Sequence, residues 1–129
     1  MKYFPQRPGS ADCGPCCVAM LTSCSTLDDA LEAFQERNEG GYSTEAQIKA
    51  ALGALGFEMS NRMGGRSLLN RTFFEERNDN LLIRTKKRSD RNWHWMVWDG
   101  NGKRLLDPLR PSRSRFPSNL SVFYIVTKA

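Results

Sequence analysis

The sequence predicts an α+β domain in which N-terminal helices pack on a C-terminal antiparallel β-sheet. Apolar residues recur at helical spacing through the first 56 residues, whereas short aliphatic and aromatic segments follow residue 80. Two of these later segments flank the Asp-Gly-Asn-Gly stretch at 99–102, which is a strong hairpin signal. Helices followed by strands are typical of the α+β class, and 129 residues suit one domain, here residues 1–129.

Three helices are predicted before residue 57, each from a local signal. The first pattern begins at Pro15, because proline is favoured in the first turn of a helix. The second opens at Ser25-Thr26, with Asp29 at capping-box spacing, and the third opens at Thr44, with Gln47 at the same spacing. Glycines are expected to end these two helices at Gly40-Gly41 and Gly56.

The second half of the chain is expected to form strands. The strand-like segments are Leu81–Arg84, Trp93–Trp98, Lys103–Asp107 and Ser121–Thr127. Residues 57–80 remain ambiguous, with Ser67–Glu76 compatible with a helix. The sheet is therefore predicted to be built mainly from residues after 80.

All four cysteines lie within twelve residues, at Cys13, Cys16, Cys17 and Cys24. This clustering argues against a disulfide framework, which spreads cysteines through the chain. The CGPC sequence at 13–16 is the dithiol motif of thioredoxin-like redox proteins, but no strand is predicted before it. A zinc site is disfavoured because the last three cysteines fall in a helical pattern. We expect those three to be small buried hydrophobic residues.

Cys13 differs from the other cysteines because it stands just before the first helix. Free backbone N–H groups and the helix dipole favour a thiolate at that position. A thiolate paired with an imidazole is a nucleophile for acyl transfer. The chain has one histidine, His94, at the start of a predicted strand, and Asp107 closes the next strand.

The hairpin between these strands decides whether His94 and Asp107 meet. A two-residue turn at Gly100-Asn101 places them directly opposite each other, with Cβ atoms about 4.5–5.5 Å apart. A turn centred on Asn101-Gly102 makes them diagonal neighbours on the same face, and a three-residue loop puts them on opposite faces. The direct pairing is our expectation.

These residues resemble the bacteriocin-processing cysteine peptidases, papain-like domains that cut leader peptides after a double glycine and are usually fused to transporters. The resemblance rests on Gln6, the Asp12–Gly14 DCG motif, His94, Asp107-Pro108 and the length of the chain. It implies a papain-like fold and a peptide or protein substrate. It also implies that Cys13 is the nucleophile, His94 the general base and acid, and Asp107 the orienting carboxylate. Gln6 would complete the oxyanion hole with the Cys13 backbone N–H.

Three function classes stay open at this point. The first is a cysteine peptidase that cleaves a peptide or isopeptide bond, with transglutaminase-like transfer or deamidation sharing the same triad. The second is a non-catalytic papain-like module that binds nucleic acid or an acidic protein through a basic face. The third is a thiol-redox protein that uses CGPC. We favour the first, and expect no cofactor and no metal.

The charge and hydropathy of the chain limit the kinds of partner that it is expected to have. The chain carries 19 basic and 14 acidic residues, a net charge of +5, and the basic residues concentrate in Arg84–Arg88 and Arg110–Arg115. Nucleic acid binding is therefore conceivable but not favoured over a solvated surface. The longest strongly apolar run, Val122–Val126, is far below the roughly 20 residues of a membrane span. Met1–Pro5 has no apolar signal-peptide region, so we expect a cytoplasmic protein; its oligomeric state is left undetermined.

Overall fold

Three helices precede every strand of the sheet. The computed structural model of the protein describes residues 1–36, 42–64, 69–85, 93–109 and 116–129, although not the side chain of Ser121. The helices are α1 (Cys13–Thr22), α2 (Leu27–Ala33), α3 (Glu45–Ala54) and α4 (Arg71–Glu75). The strands are β1 (Phe57–Met59), β2 (Met63–Gly64), β3 (Asn80–Thr85), β4 (Trp95–Asp99), β5 (Arg104–Leu106) and β6 (Leu120–Lys128). Helices and an antiparallel sheet together confirm the α+β class.

The predicted helix signals act largely as expected. The Thr44 hydroxyl accepts a hydrogen bond from the Gln47 backbone, and the Gln47 side chain accepts one from the Thr44 backbone, which completes a capping box on α3. Helix α3 ends just before Gly56, whose φ of +84° suits glycine. Helix α1 begins at Cys13, two residues earlier than predicted. Helix α2 ends at Ala33, well before the predicted stop at residues 40–41, which lie outside the described residues.

The strands form one antiparallel sheet in the order β1-β6-β3-β4-β5, with β2 also paired to β6. The ambiguous stretch contains β1, β2 and α4, and among the described residues of Ser67–Glu76, the segment compatible with a helix, the helix covers Arg71–Glu75. Both early strands pair with β6, more than 50 residues later in the chain. Strand β4 begins at Trp95, so His94 lies immediately before it rather than within it.

Each face of the sheet has its own apolar core. Helices α1, α2 and α3 cover one face, where Trp95, Val97 and Tyr124 contribute from the strands. Phe74 of α4 packs on the other face, with a second set of strand residues that includes Trp98. Neighbouring side chains of β4 thus alternate between the two cores, as expected for a strand covered on both faces.

Two features of the surface bear on the expected partners. Within the five described ranges, no helix combines the length and the apolar character that crossing a bilayer requires. Most of the two basic stretches, at 86–88 and 110–115, lies outside the described residues.

Candidate active site

The N-terminus of α1 carries the candidate nucleophile. Cys13 is the first residue of the helix and is 3% exposed. Gly14 allows α1 to approach the start of α3, since a Cβ at this position would lie 2.4 Å from the Ser43 Oγ atom. The Trp95 indole donates a hydrogen bond of 3.0 Å to the Ser43 carbonyl, which joins the same point to β4. The nucleophile therefore stands where two helices meet the sheet.

The other three cysteines differ from Cys13 in their position relative to α1, since Cys16 and Cys17 lie within the helix and Cys24 follows its C-terminal end. All four are free thiols, and Cys16 and Cys17 are fully buried as expected. Burial raises the pKa of the Cys16 thiol to about 12, and it raises the pKa of Cys17 well above its usual value. Cys24 is only partly buried, contrary to expectation, and its Sγ lies 3.2 Å from the Thr22 hydroxyl.

The structure brings His94 into contact with Asp107. The His94 Nε2 and Asp107 Oδ1 atoms are 2.6 Å apart, and both side chains are buried. The backbone of His94 is held by two hydrogen bonds to Thr85, from the His94 N–H to the Thr85 hydroxyl and from the Thr85 N–H to the His94 carbonyl. The imidazole is thus anchored through both its ring and its main chain.

The route by which these two residues meet differs from the direct pairing expected. Strands β4 and β5 pair Val97 with Leu106, which leaves a four-residue turn at Gly100–Lys103. His94 and Asp107 are therefore diagonal neighbours, the alternative that corresponds to a turn centred on residues 101 and 102. Lys103, the last residue of this turn, has a left-handed φ of 55°. A diagonal separation of about 7–8 Å between backbones is within reach of an imidazole.

Asp107 is held by more than the imidazole. Its Oδ1 also accepts a hydrogen bond of 2.9 Å from the Leu109 backbone N–H, and its carbonyl accepts one of 2.5 Å from the Tyr3 hydroxyl. Burial and the nearby Asp107 charge raise the pKa of Tyr3 to about 12, so this phenol stays protonated as a donor. These contacts fix the carboxylate beneath the His94 ring.

The electrostatics of His94 favour its protonated form. Burial alone lowers the pKa of His94, but the hydrogen bond to Asp107 and the interaction with Cys13 outweigh burial and raise the pKa to about 9. Because Nε2 is bonded to Asp107, Nδ1 is the ring nitrogen left for Cys13. In general, an imidazole that stays protonated at neutral pH stabilises the thiolate form of a neighbouring cysteine at a helix N-terminus.

Gln6 is joined to the residue after Asp107 through its backbone, whereas its side-chain amide is hydrogen-bonded to Ser10. Its backbone N–H donates to the carbonyl of Pro108, next to Asp107, over 2.9 Å. Its side-chain Nε2 donates to the Ser10 carbonyl over 2.8 Å, and its Oε1 is buried with no hydrogen-bond partner among the described residues. An amide nitrogen carries two hydrogens, so the bond to Ser10 uses only one of the two donors.

Two residues near the site escaped the sequence reasoning. Arg7 forms an ion pair with Asp12 over 2.7 Å, directly before Cys13. The sequence does contain a signal for this ion pair, because an acidic residue just before the helix start has a basic residue five positions earlier. Tyr3 offered no sequence signal, because its contact with Asp107 spans 104 positions.

Neither a metal centre nor a known relative adds to this geometry. In the part of the chain that the structure describes, no three His, Cys, Asp or Glu side chains are grouped so as to hold a metal ion. No protein-family model, curated protein or solved structure matches the chain. The chemistry of the protein is therefore inferred from its own side chains.

Proposed function

We propose that the protein is a papain-like cysteine peptidase that cleaves a peptide or isopeptide bond through Cys13, His94 and Asp107. The observation that supports this most is the buried contact of 2.6 Å between His94 and Asp107, together with a His94 pKa that interactions with Asp107 and Cys13 raise to about 9. Such an arrangement supplies a nucleophile, a proton donor for the leaving group and a group that orients the imidazole.

The proposed reaction proceeds by acyl transfer. The Cys13 thiolate attacks the carbonyl carbon, and the resulting oxyanion is stabilised by the Cys13 backbone N–H and the Gln6 amide. His94 gives its Nδ1 proton to the leaving amine as the carbon–nitrogen bond breaks. His94 then takes a proton from water, which attacks the thioester and releases the acid and the thiolate. An amine acceptor in place of water would give transfer.

The reactivity of Cys13 tests this proposal before any substrate is known. An isolated cysteine has a pKa of about 8.5, so its alkylation is slow at pH 6. We expect rapid iodoacetamide labelling of Cys13 at pH 6, read by peptide mass spectrometry, and loss of that labelling in His94→Ala. Labelling that follows an ordinary thiol in both proteins would overturn the proposal and favour the non-catalytic module.

Turnover is the second test. A peptide library incubated with the protein should show new termini that are absent with Cys13→Ala, and mass spectrometry also separates hydrolysis from transfer or deamidation. Full turnover by Cys13→Ala would contradict the proposed nucleophile.

Cys16 distinguishes this function from the dithiol alternative. A CGPC redox protein needs both Cys13 and Cys16 to reduce a disulfide, and has no use for His94. Cys16→Ser should therefore keep rapid Cys13 labelling and turnover if the protein is a peptidase. Disulfide reduction that depends on both cysteines and survives His94→Ala would instead support the redox function.

A further inference from the structure

The segment from Gln6 to Asp12 joins the two parts of the candidate site. At one end, the Gln6 backbone N–H is bonded to the carbonyl of Pro108, the residue after Asp107. At the other end, Asp12 directly precedes Cys13, and its carbonyl accepts the Cys16 N–H in the first turn of α1. The segment therefore runs from the residues that follow β5, next to the carboxylate, to the helix that carries the nucleophile.

An ion pair closes this segment on itself. The Arg7 Nε and Nη2 atoms both donate to Asp12 Oδ2, over 2.9 and 2.7 Å. Asp12 is 2% exposed, and its side chain does not cap α1 although it occupies the N-cap position. A buried carboxylate that turns away from the helix end towards a guanidinium holds Arg7 against the start of α1.

A tight turn lies between the two partners of the ion pair. The Ser10 N–H donates to the Arg7 carbonyl over 3.0 Å, with Pro8 and Gly9 between them. Gly9 has a φ of +72°, so proline and glycine occupy the positions that they favour in a type II turn. The Ser10 carbonyl at the end of this turn accepts the hydrogen bond from the Gln6 side chain. The turn thus fixes where the Gln6 amide lies.

We propose that Arg7 is a positioning residue that acts through Gln6. By tying the turn to Asp12, Arg7 holds the Gln6 amide so that its second N–H can meet the oxyanion formed at Cys13. Arg7 contacts no reacting atom, and its side chain is 60% exposed. This inference rests on the proposed peptidase function. It predicts that Arg7 affects the stability of the tetrahedral intermediate and not the reactivity of the thiol.

Two reactions at the same sulfur atom separate this effect from thiol activation. Iodoacetamide alkylation displaces iodide at a saturated carbon and forms no oxyanion. Acylation by p-nitrophenyl acetate passes through a tetrahedral oxyanion: the Cys13 sulfur–carbon bond forms, the ester carbon–oxygen bond breaks, and p-nitrophenolate leaves with the electron pair. The acetyl thioester on Cys13 is read by mass spectrometry, so acetylation of other cysteines is counted separately.

We expect Gln6→Ala to lower the Cys13 acylation rate by about 10²-fold, the usual effect of losing one oxyanion donor, and to leave alkylation unchanged. Arg7→Ala should lower acylation by about tenfold, again without an effect on alkylation, and Arg7→Lys should restore part of the rate. The double variant should be no slower than Gln6→Ala, because Arg7 acts only through that amide.

Arg71→Ala is the matched control. Arg71 is similarly exposed and pairs with Glu75 on α4, which packs on the other face of the sheet. Its substitution should change neither reaction, and thermal melts show whether each variant remains folded.

The experiments distinguish a failure of the role proposed for Arg7 from a failure of the proposed peptidase function. The role of Arg7 would be overturned if the losses in acylation rate multiply in the double variant, or if Arg7→Ala slows alkylation to the same extent as acylation. Either result would show that Arg7 acts on the fold or on the thiol, and neither would contradict the peptidase function. Wild-type Cys13 that alkylates like an ordinary thiol would instead remove the peptidase function, and this inference with it.

Discussion

At the scale of single residues, Asp107 and His94 behave as one unit whose charge state depends on their contact. Replacing the carboxylate in Asp107→Asn removes the negative charge that helps raise the pKa of His94. The imidazolium is then less stable, so in the proposed mechanism it activates Cys13 less. We expect iodoacetamide labelling of Cys13 at pH 6 to slow by about tenfold or more, since one pKa unit corresponds to a tenfold change. Unchanged labelling across the pH range would show that Asp107 does not support the imidazolium.

His94 also makes the free energy of unfolding depend on pH. The pKa of His94 is raised from 6.5 to about 9 in the folded protein, so the folded state binds its proton more tightly than the unfolded state. This contribution is fully present below pH 6.5 and is lost as the pH rises through about 9. Urea unfolding should therefore show a larger fall in the free energy of unfolding from pH 6 to pH 9.5 for wild type than for His94→Ala. Equal falls in the two proteins would contradict the raised pKa.

At the scale of elements, the contact between α1 and the start of α3 tolerates no added atom. Gly14→Ala places a Cβ within 2.6 Å of both the Cβ and Oγ atoms of the buried Ser43, so the start of α1 has to move. We expect a loss of about 1–3 kcal/mol in the free energy of unfolding, typical of overpacking, together with slower Cys13 labelling.

Gly53→Ala on α3 is the corresponding control. Nothing lies within 4 Å of its Cβ, so this change should stabilise the helix by up to about 1 kcal/mol without affecting Cys13. Denaturant unfolding measures both variants. If Gly14→Ala were as stable as wild type and kept rapid labelling, the contact would have no role in placing the nucleophile.

Sequence reasoning succeeded where the signal was local. The starts of α2 and α3 were predicted because Thr26 and Thr44 cap the helices that follow them directly. Strands β1 and β2 were not predicted, because their pairing with β6 is specified by contacts across the molecule. The candidate triad could be assembled from residue types and strand order, whereas the Asp-Gly-Asn-Gly sequence between β4 and β5 is compatible with more than one turn and so did not determine the register.

At the scale of the whole molecule, the two apolar cores separate stability from reactivity. Phe74 is fully buried in the core on the side of the sheet away from α1 to α3. Phe74→Ala should lower the free energy of unfolding by about 3–5 kcal/mol, because it leaves a large cavity. Cys13 in the remaining folded protein should still label rapidly at pH 6. Slow labelling while circular dichroism shows a folded protein would mean that the far core also shapes the site.

The pairing of β6 with β1, β2 and β3 also sets an order of events during translation. Cys13, His94 and Asp107 all leave the ribosome before residue 120, yet β3 and β1 are joined only through β6. A nascent chain that ends before this strand lacks the strand between β1 and β3, and with it the residues Val122, Tyr124 and Val126 that β6 adds to the core shared with α1. If Cys13 is the nucleophile that we propose, it should gain its reactivity only after this last strand is inserted.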